Sequence, residues 1–339
     1  MKKYDIAILG ATGTVGQSMM EILSELEFPV NNLFPLASHR SAGEKVLFNG
    51  QSLAVQDVEK FDFSKVQIAL FSAGASVSAK YAPIAANKGC VVIDNTSQFR
   101  NENDIPLVIT EVNPGDIAQY KNKNIIANPN CSTMQMLVAL KPIYDAVGIS
   151  RINVATYQSV SGTGKAAIDE LAKQTQDLLS GRPTSSEVYP IQIAFNVIPH
   201  IDVFEPNGYT REEMKMVRET KKILHDSDIV VNPTAVRVPV FYGHSEALHI
   251  ETKQKISANQ ARDLLKNAPG IIVKDDPENK GYPSPAVEAS GTNPVYVGRI
   301  REDISHPLGL NLWVVSDNIR KGAALNSVQI AQILVRDYL

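Results

Sequence analysis

Near the amino terminus the chain reads Asp5-Ile6-Ala7-Ile8-Leu9-Gly10-Ala11-Thr12-Gly13-Thr14-Val15-Gly16. A short apolar run ends in a glycine-rich turn, the pattern of a buried parallel strand. Beyond the turn, Val15, Met19, Ile22, Leu23 and Leu26 recur at helical spacing, which predicts a helix over 14–26 stopped by Pro29. The glycines are spaced Gly-x-x-Gly-x-x-Gly, not the usual Gly-x-Gly-x-x-Gly. Their physical roles still fit a dinucleotide turn: Gly10 for the tight turn, Gly13 for close approach of backbone to a pyrophosphate, Gly16 for helix–strand packing. The following helix start offers N–H groups and a positive dipole end. Gly10, Thr12, Gly13, Thr14, Val15 and Gly16 are therefore candidate cofactor contacts.

Working outward, strands are expected at 33–37, 68–71 and 91–93, with an Ala-rich helix after the loop Ser72-Ala73-Gly74, itself a candidate cofactor contact. Strand and helix alternate as in a doubly wound Rossmann-type sheet. An NAD site would place an acid after the second strand to hold the ribose 2′-OH. Here the residues are Ser38-His39-Arg40-Ser41, in which Arg40 can grip a 2′-phosphate with Ser38 and Ser41 beside it. NADP is the expected cofactor.

Past residue 130 the texture changes. A helix is predicted over 164–179, while strands at 236–240, 247–252 and 310–315 lack regular helices between them, which suggests an α+β domain with a mixed sheet. The expected organisation is 1–130 for the cofactor, 131–317 for catalysis and dimerisation, and 318–339 returning to the first domain, with an amphipathic helix over 323–338.

With a net charge of −3 the chain lacks the basic excess of a nucleic-acid binder. No apolar run approaches the ~18 residues of a membrane span, and the start has no signal-peptide core. A cytoplasmic protein is expected. The two cysteines, Cys90 and Cys131, make neither a disulfide framework nor a zinc-ligand spacing, so no metal is expected. Cys90, in Gly89-Cys90-Val91-Val92-Ile93, reads as a buried strand residue. Cys131 lies in Asn128-Pro129-Asn130-Cys131-Ser132-Thr133, just ahead of the helical run 134–140. A helix N-terminus favours thiolate and can hold an oxyanion, so Cys131 is a candidate nucleophile.

The opening Gly-Ala-Thr-Gly-x-Val-Gly, the Asn-Pro-Asn-Cys-Ser-Thr turn, Tyr157-Gln158-Ser159-Val160-Ser161-Gly162, and Arg237-Val238-Pro239-Val240 with His244 occur in order along essentially the whole chain. With these motifs it resembles the aspartate-semialdehyde dehydrogenases. That resemblance implies reversible, NADP-linked reductive dephosphorylation of L-aspartyl-4-phosphate to L-aspartate 4-semialdehyde by a homodimer, in lysine, threonine, methionine and diaminopimelate biosynthesis. By the same resemblance Cys131 forms the acyl thioester, His244 is the general acid/base and Gln158 orients the substrate. Arg237 holds the α-carboxylate, Glu212 the α-ammonium, and Arg100 and Lys215 the phosphate; Ser161, Gly162 and Asn318 contact the nicotinamide side of the cofactor. Read alone, Glu212 and Lys215 three apart could equally be an ion pair on a solvated helix face. His39, His200, His225, His249 and His306 show no usable spacing. Two other readings remain at this point: a related acyl-phosphate reductase such as an N-acetyl-γ-glutamyl-phosphate reductase, and a catalytically silent paralogue. An N-acylated substrate would have no use for an acid at Glu212.

Overall fold

The elements begin with β1 (Tyr4–Leu9) and α1 (Thr14–Glu25), the strand and helix that flank the glycine turn. There follow β2 (Val30–Ala37), a hairpin of β3 (Lys45–Phe48) and β4 (Gln51–Ala54), and the short β5 (Gln56–Asp57). Next come β6 (Ile68–Phe71), α2 (Ala75–Asn87), β7 (Val91–Asp94) and β8 (Ile125–Ala127). The structure, a computed structural model, describes residues 2–339. It divides into two compact units: residues up to Asn130 together with Ala323–Leu339, and Cys131–Gly322. The second break falls at 322/323 instead of the expected 317/318.

In the first unit six parallel strands lie in the order β5-β2-β1-β6-β7-β8. Chain order reverses beside β1, so the crevice beyond the carboxyl ends of β1 and β6 is where such a sheet binds its ligand. Ile6, Ile8, Ile68, Leu70 and Ile93 form the core of this layer, and Val328, Ile330 and Leu334 of the C-terminal helix (Asn326–Asp337) join the same cluster. That helix starts three residues later than the periodicity suggests, because 320–325 form a wider π-type turn. Cys90 is fully buried, and burial pushes its thiol up to about 12.

The second unit opens with α3 (Cys131–Val147), β9 (Ile149–Gln158) and α4 (Lys165–Leu179). It continues through α5 (Arg211–Leu224), β10 (Val230–Arg237), β11 (His244–Thr252) and α6 (Ala258–Lys266). It closes with β12 (Ile271–Val273), β13 (Val295–Glu302) and β14 (Gly309–Ser316). The mixed sheet runs β10-β9-β11-β14-β13-β12. Side chains of one parity, such as Ile152, Val154, Leu248, Ile250, Leu310 and Leu312, are buried, and α3 packs against β9, β11 and β14.

Two elements depart from the sequence expectation. The strand expected over 236–240 is displaced to Val230–Arg237. Pro233 argues against a strand there, but β10 is the edge strand of the sheet beside β9, with only a bridge from Arg237 to Ile198 on its outer side, so a missing donor at Pro233 is tolerated. Helix α5 is set by a reciprocal capping box, Thr210 Oγ1 accepting from Glu213 N–H while the Glu213 carboxylate accepts from Thr210 N–H. Its acidic first turn and lysine-bearing last turn complement the helix dipole.

Candidate active site

In the first unit the glycine turn borders a cavity of about 590 Å³. Its walls include Gly10, Thr12 and Gly13, then Ser38, His39 and Ser41 after β2, and Ser72 and Ala73 after β6. Gly10 has φ +94°, and a Cβ at Gly16 would lie 2.2 Å from the Gly10 carbonyl oxygen. A side chain at either position would therefore deform the turn. At Gly13 a Cβ would meet protein only at 3.4 Å, so that glycine leaves room on the ligand side. This cradle at the switch point suits a dinucleotide. Ser76 and Lys80 also line it, and no sequence motif marks them. Arg40 is exposed between two wall residues. Arg100 is buried after β7 and donates through Nη2 to the Asn95 carbonyl at 2.8 Å.

In the second unit, strand register assembles the site. Gln158 and Arg237 end the parallel neighbours β9 and β10 and are paired in register. On the other side of β9 the antiparallel β11 begins at His244, with Ser245 paired to Tyr157. Three neighbouring strand ends thus place an amide, a guanidinium and an imidazole together, all 5 % exposed or less. Arg237 Nη1 donates to the Ser159 carbonyl at 2.7 Å, and its guanidinium lies over the Tyr189 ring. The Gly162 position shows how closely they converge: a Cβ there would stand 3.2 Å from Arg237 Nη1 and 3.3 Å from His244 Nε2.

The first turn of α5 adds a second charged group. Gln158 Nε2 donates to Glu212 Oε1 at 3.2 Å, and Lys215 Nζ bridges Glu212 and Asp202 at 3.0 Å each. Glu212 is buried, which rules out the solvated-face alternative. Burial alone would lower the Lys215 pKa, but the two carboxylates outweigh it and the net direction is upward. His244 is driven the other way, down to about 3, by complete burial and then by the Arg237 charge, against a smaller opposing effect of Glu212.

Cys131 is the first residue of α3 and is partly exposed, where the helix dipole favours thiolate. A Cβ at Gly322 would fall 2.7 Å from Cys131 Cβ and 3.8 Å from Asn318 Cβ, so only glycine fits beside the thiol. Asn318 is buried, and its Oδ1 accepts from Ser159 Oγ, Ser161 Oγ and Gly243 N–H. Sequence reasoning missed Ser159 and Gly322, although Ser159 lies inside a motif that it singled out.

It also missed Glu246, two residues beyond His244 and fully buried. Its polar neighbour is Gln135, one turn beyond Cys131 on α3 and an acceptor from Ser316 Oγ. Burial raises the Glu246 pKa well above the usual carboxylate range, with a smaller opposing effect of Gln135.

A parallel sheet with a glycine-rich cradle, followed by a unit that carries a thiol at a helix start and a buried imidazole and guanidinium, is the plan of a two-unit dehydrogenase. Comparison with known proteins narrows the class. Residues 5–120 match the semialdehyde dehydrogenase, NAD binding domain family, and residues 140–321 the semialdehyde dehydrogenase, dimerisation domain family. The aspartate-semialdehyde dehydrogenase of Shewanella violacea is 66% identical over 99% of both chains. The crystal structure of aspartate semialdehyde dehydrogenase II from Vibrio cholerae complexed with ASA is 61% identical, covers 100% of both chains and superposes with a TM-score of 0.98. That of aspartate semialdehyde dehydrogenase with NADP from Candida albicans is 27% identical over 98% of this chain and 99% of its own, with a TM-score of 0.78. The chain belongs to the aspartate-semialdehyde dehydrogenase family.

Because the Glu246 pKa is raised on folding, its contribution to stability is fully present below the unfolded-state value of about 4.3 and is lost as pH rises toward the folded-state value. Glu246→Gln keeps the shape and removes the titration. The difference in Tm, variant minus wild type, should therefore grow from pH 5 to pH 8. A difference independent of pH would show that the carboxyl does not carry this linkage.

Proposed function

We propose that this chain converts L-aspartyl-4-phosphate to L-aspartate 4-semialdehyde with NADPH, reversibly, as a cytoplasmic homodimer. The observation that carries the reading is the convergence of Arg237, Gln158, Glu212 and His244 in the unit that begins with Cys131. The Cys131 thiolate attacks the acyl carbonyl and phosphate leaves with the electron pair of the C–O bond, giving a thioester. Splitting the substitution in this way replaces one difficult step by two easier ones. Arg237 takes the substrate α-carboxylate in a charge-assisted pair, and Glu212 the α-ammonium. Arg100 and Lys215 balance the phosphate charge, and Gln158, held by Glu212, orients the carbonyl. His244, with Nε2 turned to the Gly162–Arg237 space, attends the oxyanion.

Residues of the glycine turn, with Ser38, Arg40, Ser41, Ser72, Ala73 and Gly74, would hold NADP, and Ser161, Gly162 and Asn318 its nicotinamide side. Bound there, the reduced cofactor supplies the hydride. The absence of an acid after β2 and the presence of Arg40 support NADP over NAD. Along residues 191–204 of the unit matched to the dimerisation family, Ile191, Phe195, Val197, Val203 and Phe204 are exposed, an apolar surface suited to a second subunit.

The reverse reaction tests the activity: L-aspartate 4-semialdehyde, phosphate and NADP, followed as NADPH absorbance. Phosphate-dependent turnover that vanishes in Cys131→Ser is expected; turnover retained without the thiol would refute the thioester. Replacing Arg40 by Ala should raise KM for NADP about tenfold, the effect of losing one charge-assisted contact of ~1.4 kcal/mol, and leave KM for NAD nearly unchanged. Equal effects on both cofactors would remove Arg40 from 2′-phosphate recognition.

A further inference from the structure

The capping box of α5 does more than close a helix. Glu213 Oε2 accepts from Thr210 N–H at 2.7 Å, the ordinary bond of such a box, and Oε1 accepts from Ala235 N–H of β10 at 2.9 Å. A capping box by itself is served equally by Glu or Gln. In α6 the same position is Gln260, whose Oε1 accepts from the N–H and the hydroxyl of Ser257, inside the box. At 213 an amide would not serve. Two peptide N–H groups from different elements approach the two oxygens, and an amide nitrogen can accept from neither. Glu213 and Thr210 are both buried, which shields these bonds from water.

The two ends of this link sit beside the two charged groups that the reading above gives to the amino-acid end of the substrate. On the helix, Glu213 adjoins Glu212. On the strand, Ala235 precedes Arg237 by two residues, so their N–H groups leave the same outer edge of β10; that of Arg237 donates to the Ile198 carbonyl at 2.8 Å. The inner edge is taken by β9. The end of β10 is thus held from both sides, and the Ser159 carbonyl fixes the Arg237 guanidinium. The first turn of α5 is tied to this strand by the Glu213 carboxylate.

We propose that Glu213 is a positioning residue that sets the spacing between Glu212 and Arg237, and through it the selectivity for a substrate with an ammonium and a carboxylate on one carbon. This rests on the roles proposed above for Glu212 and Arg237. Such a substrate presents its two charges at a separation fixed by covalent geometry, so their receptors must be held at a matching separation. The receptors stand on different elements, a helix turn and a strand end, and each is buried and hydrogen-bonded. Because β10 is held on both edges, loss of the link frees the helix turn and leaves the strand in place. Glu212 then moves from the ammonium while Arg237 keeps the carboxylate. A ligand that lacks the amine has nothing to lose by this movement.

The test compares L-aspartate 4-semialdehyde with succinate semialdehyde, which keeps the aldehyde and the carboxylate but lacks the amine. Succinate semialdehyde competes for the same site, so its Ki is read in the reverse assay whether or not it is turned over. Glu213→Gln keeps one acceptor for the helix cap and turns a donor to Ala235 N–H. Ala235→Pro removes the N–H on the strand and leaves Glu213 its bond to Thr210; Pro233, of the same parity, shows that this edge accepts proline. In each folded variant KM for L-aspartate 4-semialdehyde should rise about tenfold, the effect of weakening one charge-assisted contact. Ki for succinate semialdehyde and KM for NADP should stay at their wild-type values. A general loosening of the unit would raise KM and Ki together; that result, or no change in either, would overturn the proposal. Glu212→Gln separates this outcome from failure of the underlying reading. A Ki to KM ratio unchanged in Glu212→Gln would refute the ammonium role of Glu212. A ratio that falls in Glu212→Gln but in neither Glu213→Gln nor Ala235→Pro would refute the positioning role of Glu213 alone.

Discussion

Register among β10, β9 and β11 is the constraint from which the rest of the site follows. Two parallel neighbours that end together at Gln158 and Arg237, and an antiparallel third that starts beside them at His244, bring three functional side chains to one end of one sheet. A slip of one residue in any of these strands would turn its functional side chain to the opposite face. The apolar side chains further along the same face, Val154 and Leu248 among them, make such a slip costly. Core packing and placement of the chemistry are thus the same problem, solved by one register.

The cost of this arrangement lies in its electrostatics. Arg237, Glu212 and Lys215 are charged groups largely withdrawn from water, and each is tolerated because a partner meets it: a carbonyl for Arg237, and an amide and an ammonium for Glu212. Removing one partner of such a buried pair typically costs about 3–5 kcal/mol, since the other charge is left uncompensated. The two groups left without a charge partner, His244 and Glu246, respond differently, and burial drives each toward its neutral form. Partnered charged groups and groups that burial holds neutral thus lie close together at this end of the sheet.

Much of this was legible in the chain. The strand–turn–helix at 4–25 announced its own geometry through glycine spacing and apolar period, and the turn at Cys131 identified itself by polar residues ahead of an apolar helix. The β10 strand was misplaced because Pro233 argues against a strand unless one knows that it lies on an edge, which is a tertiary fact. Ser159, Gly322 and Glu246 were invisible for a similar reason. A serine after a strand, a glycine in a turn and a glutamate in an apolar run have no local signature, and their roles come from what folding brings against them: an imidazole, a thiol and a buried amide. Roles for Glu212 and Asn318 are implied by the family likeness alone; the structure shows both side chains buried and hydrogen-bonded.

The covalent chemistry proposed for Cys131, at the head of α3, is measured most directly by a trapping experiment. Enzyme incubated with L-aspartate 4-semialdehyde and NADP, with no phosphate to accept the acyl group, should release a burst of about one NADPH per subunit and then stall. Mass spectrometry of the acid-quenched protein should place an aspartyl adduct on the peptide bearing Cys131. A burst with no adduct, or an adduct on any other residue, would contradict the account.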